Sequence, residues 1–321
     1  MTVRQRITKN FEIECLSPVH VGSGDKLTAA EYIFDEKARQ VYFVDQARWI
    51  QFLYRKKLTD EFSRYIEQAA GLLGRKGPFR GQLLWEWLTQ KGIRPDEIRN
   101  LAGTIGHVHT NNPLIDRRSV NDIARNVTDA FGSVYVPGSS IKGAFRTGIL
   151  SDIVFKHKGT YSDQWRCVER IIFNARTRKD TDQLGPIRDK LEKMVFHRLD
   201  LRDEHGKSCQ GAVNDVLRGL IVSDATCVEP VRNTVIVQKL DGSLAKSESM
   251  NPCRLPLFRA CIPAGTRLRF SVTADLSMLK EIGIESIDEV FSATRKYIER
   301  NLKFQELAFT RVFGKQFFAV Q

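Results

Sequence analysis

Hydrophobic and polar positions change period several times along this chain. In FEIECLSPVHVGSG, Phe11, Ile13 and Cys15 alternate with Glu12 and Glu14. That is a half-buried strand running into a glycine-rich turn. AEYIFDEKARQVYFVD predicts two strands joined by a polar hairpin around Asp35 to Arg39, with Asp45 as the N-cap of a following helix. Trp49, Phe52, Leu53, Phe62, Ile66 and Leu73 then fall at helical spacing and predict one long amphipathic helix. GRKGPFRG breaks it, and QLLWEWLTQKG predicts a short second helix ending at Gly92.

Residues 101–120 show no period and read as a loop. Ile123, Val127, Ala130 and Phe131 share one face of an expected helix. From Ser162 to Phe196 the pattern is helical and basic, with an expected break at Gly185-Pro186. GLIVSDATCV, VRNTVIVQKL and TRLRFSVTADL predict strands; in the last, Leu268, Phe270, Val272 and Ala274 alternate with Arg267, Arg269, Ser271 and Thr273. Ser286 and Glu289 form a capping box for a last helix that turns Ile287, Val290, Phe291, Tyr297 and Ile298 inward. Interleaved helices and short hairpins predict an α+β fold. The expected division is residues 1–160, carrying a helical insertion at about 46–130, and residues 161–321 packed on it.

Charge adds a partner class. Lys and Arg number 50 against 38 Asp and Glu, a net charge of +12. Such an excess favours a polyanion, nucleic acid first and an acidic membrane surface second. No apolar run approaches the roughly 20 residues of a membrane span. The charged start MTVRQRITKNFEIECL has no secretory-signal pattern. Six scattered cysteines without a C-x-x-C pair predict reduced thiols and a cytoplasmic location.

Two segments carry candidate chemistry. In YVPGSSIKGAFRTGIL, Pro137-Gly138 forces a turn, and Ser140 is placed to cap the helix that follows. Its free amides and dipole suit a phosphate. Lys142 and Arg146 lie one turn apart on one face, while Ile141, Phe145 and Ile149 lie on another. The spacing is not that of a nucleotide-binding P-loop, because Lys142 precedes Gly143 and Ala144 follows it. The same features also describe a capped helix with two solvated cations. In LSPVHVGSGDKL, Gly22 and Gly24 permit positive φ, and His20, Ser23 and Lys26 are candidates for phosphate or ribose contact. A plain hairpin loop with a structural histidine is the alternative. His107, His109 and Asp116 match no standard metal spacing. Trp165, Arg166, Arg170, Arg176, Arg178 and Lys179 suit backbone contact to nucleic acid, or a solvated helix face. No catalytic set has recognisable local context.

Taken together, LSPVHVGSGDKLTAAEYIFDE and, far downstream, FGSVYVPGSSIKGAFRTGIL resemble the RAMP superfamily of CRISPR RNA-binding proteins, the second through its IPGSSLKGAIR signature. GLIVSDATCVEPVRNTVIVQKLDG and LPLFRACIPAGTRLRFSVT further resemble the family of fifth subunits of the type III-A effector, the Csm complex. The resemblance implies an RRM-like (ferredoxin-like) antiparallel sheet with helical insertions. It implies a non-catalytic subunit that caps the backbone filament near the crRNA 3′ end and supports crRNA maturation. The partners implied are crRNA, the other Csm subunits (the backbone RAMP subunit above all) and maturation nucleases, with no cofactor, metal or membrane. It places Ser139, Ser140, Lys142, Gly143 and Arg146 at the crRNA backbone, and His20, Gly22, Ser23, Gly24 and Lys26 in a first RNA-facing loop. One departure is the ending RVFGKQFFAVQ, with a single glycine where many RAMP proteins carry a glycine-rich loop. This weakens the rival reading, an endoribonuclease using His20 as acid/base or Asp25 as a metal ligand. Nothing points to base-edge recognition, so binding by backbone shape and charge is expected.

Overall fold

A computed structural model describes residues 6–72, 81–109, 120, 122–207, 209, 211–231, 233–241 and 253–313. In chain order its elements begin with β1 (Arg6–Glu14), β2 (Gly22–Leu27), β3 (Ile33–Asp35), β4 (Gln40–Val44), α1 (Gln46–Lys56), α2 (Thr59–Ala70), α3 (Leu84–Gln90), α4 (Pro95–Arg99), β5 (Ala102–His109) and β6 (Ile123–Asn126). There follow β7 (Tyr135–Val136), α5 (Gly138–Lys156), α6 (Ser162–Asn174), α7 (Leu184–Phe196), β8 (Leu220–Val222), β9 (Ala225–Cys227), β10 (Asn233–Asp241), β11 (Cys253–Cys261), β12 (Arg267–Asp275), α8 (Leu276–Leu279) and α9 (Ile287–Phe313). The chain forms two compact units: Met1–Glu12, Val136–Ala225 and Arg269–Gln321 make one, Ile13–Tyr135 and Thr226–Leu268 the other. Each unit combines segments from both halves of the chain, where the sequence reading divides it at residue 160. Among the described residues, no helix is long and apolar enough to cross a membrane.

The unit containing residues 13–135 holds a seven-stranded sheet, ordered β2-β6-β11-β10-β5-β4-β3. The expected antiparallel sheet is mixed: β10 runs parallel to β5, and β11 parallel to β6, while their other pairings are antiparallel. Asp45 caps α1 by accepting from Arg48 N at 2.9 Å. The single long helix expected here is two, because Lys57 takes a left-handed conformation (φ 57°) that ends α1. Trp49, Phe52, Leu53, Tyr65, Leu84, Trp87, Leu88 and Ile98 of α1–α4 pack with Ile33 and Tyr42 of the sheet in one core. Leu73 and most of GRKGPFRG lie outside the described residues.

Two expectations fail here. The stretch 102–109 is an interior strand, not a loop. Gly103 and Gly106 hide its period, and Gly106 is a packing device: a Cβ there would lie 2.5 Å from Ile236 Cδ1 and 2.9 Å from Phe43 Cε2. The expected helix at 123–131 is instead β6 and a turn. Asp129 accepts from Phe131 N (2.9 Å) and Ser133 N (2.8 Å), and Gly132 adopts φ 82°, so the side chain outcompetes helical bonding. Phe131 ends 94% exposed.

The other unit carries a five-stranded sheet, ordered β1-β12-β9-β7 with β8 also paired to β12. The alternation read in β12 is observed, with Leu268, Phe270, Val272 and Ala274 buried. Helices α5 and α9 pack together. Phe291 meets Phe145 (ring centroids 4.9 Å) and Phe11 (4.5 Å), and Phe11 stacks on Phe270 (5.7 Å). Close approach rests on Gly148, where a Cβ would lie 2.5 Å from Thr294 Cα. Ser286 Oγ accepts from Glu289 N at 3.2 Å, and Glu289 accepts from Glu285 N, one residue earlier than a standard capping box. Ile298, expected inward, is 46% exposed. The helical break falls between α6 and α7 rather than at Gly185-Pro186; Pro186 sits in the first turn of α7, where no amide donor is required.

Candidate nucleic-acid interface

The two candidate segments fall in different units. The first is edge strand rather than free loop. Val19 pairs with Ile262 through reciprocal backbone bonds of 2.9 and 2.7 Å. His20 Nδ1 lies 2.7 Å from the Ala260 carbonyl. A carbonyl only accepts, so Nδ1 carries a proton and donates. Val21 N donates to Asn126 Oδ1 at 3.0 Å. Gly22–Leu27 is β2, the outer strand of the seven-stranded sheet, with Gly22, Ser23, Gly24, Asp25 and Lys26 all exposed. Lys26 makes no ion pair among the described residues. An edge of this kind offers unpaired backbone groups and little side-chain bulk to a ligand.

The second segment keeps its expected outline, a short strand turning through Pro137 into a helix, but its cap differs. Ser140 makes no capping bond. Gly138 N instead donates to Asp224 Oδ1 at 2.7 Å. Ser140 N and Ile141 N both go to the Pro137 carbonyl, at 2.9 and 3.2 Å. Of the first-turn amides, Ser139 N–H is left without a partner among the described residues. A protein carboxylate therefore already answers the positive end of α5. Gly138 itself is buried: a Cβ would lie 2.2 Å from the Val222 carbonyl oxygen.

Beyond the cap, α5 divides cleanly. Phe145, Gly148 and Ile149 are buried. Ser139, Ser140, Gly143, Ala144 and Thr147 are exposed, and a Cβ on Gly143 would meet nothing within 4 Å. These small side chains let a strand's backbone come close to the helix.

The two cations are not equivalent. Arg146 Nε donates to Glu192 Oε2 at 2.9 Å and Nη1 to Asp215 Oδ2 at 2.7 Å, while its guanidinium lies 4.2 Å from the centroid of Phe196. Burial works against its charge, but the bonds to Asp215 and Glu192 more than offset this and hold it above the ordinary arginine range. Arg146 thus ties α5 to α7 and to the segment before β8. Lys142 makes no ion pair among the described residues. Burial pulls its amine below the ordinary lysine range, with Asp215 opposing and Arg146 adding to the shift.

The remaining candidates stay apart from these segments or remain solvated. Trp165 is 60% exposed and donates from Nε1 to Glu169, and Arg166, Arg170, Arg176 and Lys179 are exposed. His107 is held within β5, paired with Gln40 and Val235. The His109 and Arg178 side chains, Asp116 and residues 314–321 lie outside the described residues. Among the described residues, no group of three His, Cys, Asp or Glu side chains is arranged to hold a metal. Sequence reasoning missed Asp224, Glu192 and Asp215, which act across 86, 46 and 69 residues of chain. It also missed Asn126.

The RAMP superfamily model matches residues 12–310. The chain belongs to the RAMP superfamily. Both candidate segments fall within that match. Among curated relatives, it is similar to the CRISPR system Cms protein Csm5 of Streptococcus thermophilus, 24% identical over 280 residues that cover 86% of this chain and 68% of that protein. The protein of the same description from Mycobacterium tuberculosis (strain H37Rv) is 26% identical over 281 residues, covering 84% and 67%. Among solved structures, the fold is similar to the crystal structure of T. onnurineus Csm5, with a TM-score of 0.62 and 18% identity over 94% of this chain and 83% of that one. A chain of the cryo-EM Csm–crRNA–target RNA ternary complex of a type III-A CRISPR-Cas system gives a TM-score of 0.59 and 18% identity, covering 94% and 78%.

Proposed function

We propose that this chain is the fifth subunit of a type III-A CRISPR effector, a non-catalytic protein that holds crRNA by its backbone. The observation that carries the reading is the RAMP match across residues 12–310, which contains an α5 whose first turns expose small side chains beside an unpaired Lys142. Similarity to Csm5 proteins over more than four-fifths of the chain supports the subunit assignment. The order β1, α5, β8 and β9, β12, α9 supports a ferredoxin-like half within the unit that carries them.

Phosphate contact falls to Lys142, the hydroxyls of Ser139 and Ser140 and the Ser139 amide, with Gly143 leaving room for the strand. Arg146 positions the helix that presents them. In the other unit, Ser23, Lys26 and the glycines of β2 form a second contact, beside His20. The net charge of +12 supplies long-range attraction. By this reading the subunit sits at one end of the backbone filament, near the crRNA 3′ end, and supports maturation by protecting the RNA it covers.

A gel shift of the full chain against single-stranded RNA across a salt series tests the proposal. Affinity falls steeply with salt, and Lys142→Ala lowers the log–log slope by about 0.7, the value for one phosphate of a single strand. The RNA is recovered intact. Cleavage by the purified chain, abolished in His20→Ala or Asp25→Ala, would favour the ribonuclease reading.

A further inference from the structure

Beside β2 the structure leaves a donor and an acceptor unused. Asn126 is 6% exposed; its Oδ1 accepts from Val21 N, but its Nδ2 is buried with no hydrogen-bond partner among the described residues. A buried amide left in this state costs the desolvation of its donor, which is uncommon in native proteins. Nearby, with Nδ1–H bonded to Ala260, the neutral form of His20 presents Nε2 as an acceptor. Both groups flank Gly22. Gly22 is the cross-strand partner of Asn126, and opposed residues of an antiparallel pair project to the same face. A Cβ on Gly22 would lie 3.2 Å from His20 Nε2, so its absence keeps the imidazole edge clear.

The strand edge beside this corner is irregular. Gly22 opposes Asn126 and Lys26 opposes Ala124, an advance of four residues along β2 against two along β6. Ser23, Gly24 and Asp25 therefore bulge from the sheet edge, exposed, with Gly24 at φ 94°. Ser23 lies on this bulge and Lys26, which makes no ion pair among the described residues, directly follows it, where a phosphodiester would be held.

We infer that His20 Nε2 and Asn126 Nδ2 form a niche that reads the ribose 2′-hydroxyl of an RNA strand lying along β2. A 2′-hydroxyl is both donor and acceptor. It donates to His20 Nε2 and accepts from Asn126 Nδ2, satisfying an amide that the protein alone leaves unpaired. DNA offers no such group, and a 2′-O-methyl ribose has lost the donor. The inference rests on the RNA-binding reading above and adds discrimination of RNA from DNA to it.

The experiment measures fluorescence anisotropy of the full chain with one sequence made as RNA, as DNA and as 2′-O-methyl RNA, at one salt concentration. RNA binds about tenfold more tightly than either analogue, the factor given by one or two hydrogen bonds of ordinary net strength. Gly22→Ala, which fills the niche and removes no polar group, brings RNA affinity down to that for DNA. His20→Phe does the same, and circular dichroism checks that both variants fold. Lys26→Ala weakens RNA and DNA alike and keeps their ratio. Equal binding of RNA and DNA by the unaltered chain, or a preference that survives in both niche variants, overturns the inference. Failure of all three oligonucleotides to bind brings down the RNA-binding reading itself.

Discussion

Replacing Arg146 with alanine removes three contacts at once: the bond to Glu192, the bond to Asp215 and the ring contact with Phe196. The side chains of Arg146, Glu192 and Asp215 are 28%, 30% and 14% exposed, so water reaches them only in part. Charge-assisted hydrogen bonds contribute about 1.5–3 kcal/mol each, and partial exposure places these at the lower end. Two such bonds together give a loss of about 3 kcal/mol. Much of it reflects two part-buried carboxylates left without the guanidinium that joined them. With an m-value of about 1–3 kcal/mol/M, the urea midpoint of the unit holding Arg146 falls by about 1–3 M. Arg146→Lys retains the charge but not the fork that spans both carboxylates, and recovers only part of the loss. The assay pairs urea unfolding with RNA titration across salt, below the variant's unfolding transition. Arg146→Ala lowers the midpoint and keeps the salt slope. A variant with unchanged midpoint and a slope reduced by about 0.7 would refute the reasoning, because the guanidinium would then be a phosphate ligand.

Other outcomes follow from the same geometry. Lys142 is held below the ordinary lysine range, so it binds fewer protons folded than unfolded and its charge opposes folding below that depressed value. Stability then rises with pH between the depressed value and the ordinary lysine range. Lys142→Met therefore raises the thermal midpoint at neutral pH while weakening RNA binding, and loses this pH dependence; an unchanged midpoint would contradict the burial argument. Asp224→Asn weakens the cap on Gly138 N, lowers stability by about 1 kcal/mol and tightens RNA binding by removing a competing charge. Gly148→Ala pushes a methyl against Thr294 backbone and costs about 1–3 kcal/mol, seen as a lower thermal midpoint. Gly143→Ala meets open space, so stability holds or rises by up to about 1 kcal/mol. RNA affinity still falls if a strand approaches there.

Local signals in the chain were legible where local physics decides. The alternation of β12, the Asp45 cap and the β3–β4 hairpin need only neighbouring residues, and all three appear where the pattern puts them. Parallel pairing of β10 with β5 and of β11 with β6 joins distant segments, and no hairpin announces it. Strand β5 was hidden because Gly106 serves the packing of Ile236 and Phe43 rather than its own propensity. The same contrast runs through the candidate site. The turn into α5 and its buried Phe145 and Ile149 follow from spacing. The distinction between a clamped Arg146 and an unpaired Lys142 depends on Glu192 and Asp215, which no local pattern links to the helix. Ser140 had the right chemistry for a cap, but the helix starts two residues earlier at Gly138, so Ser140 lies inside its first turn and Asp224 answers the Gly138 amide.

The most direct test of the account is photocrosslinking of the assembled complex with crRNA carrying photoreactive nucleotides, followed by mass spectrometry of the adducts. The account predicts RNA adducts on peptides covering Ser139 to Thr147, lost in the complex built with Lys142→Ala. Adducts confined to other surfaces of the chain, with that helix unmarked in the unaltered complex, would contradict it.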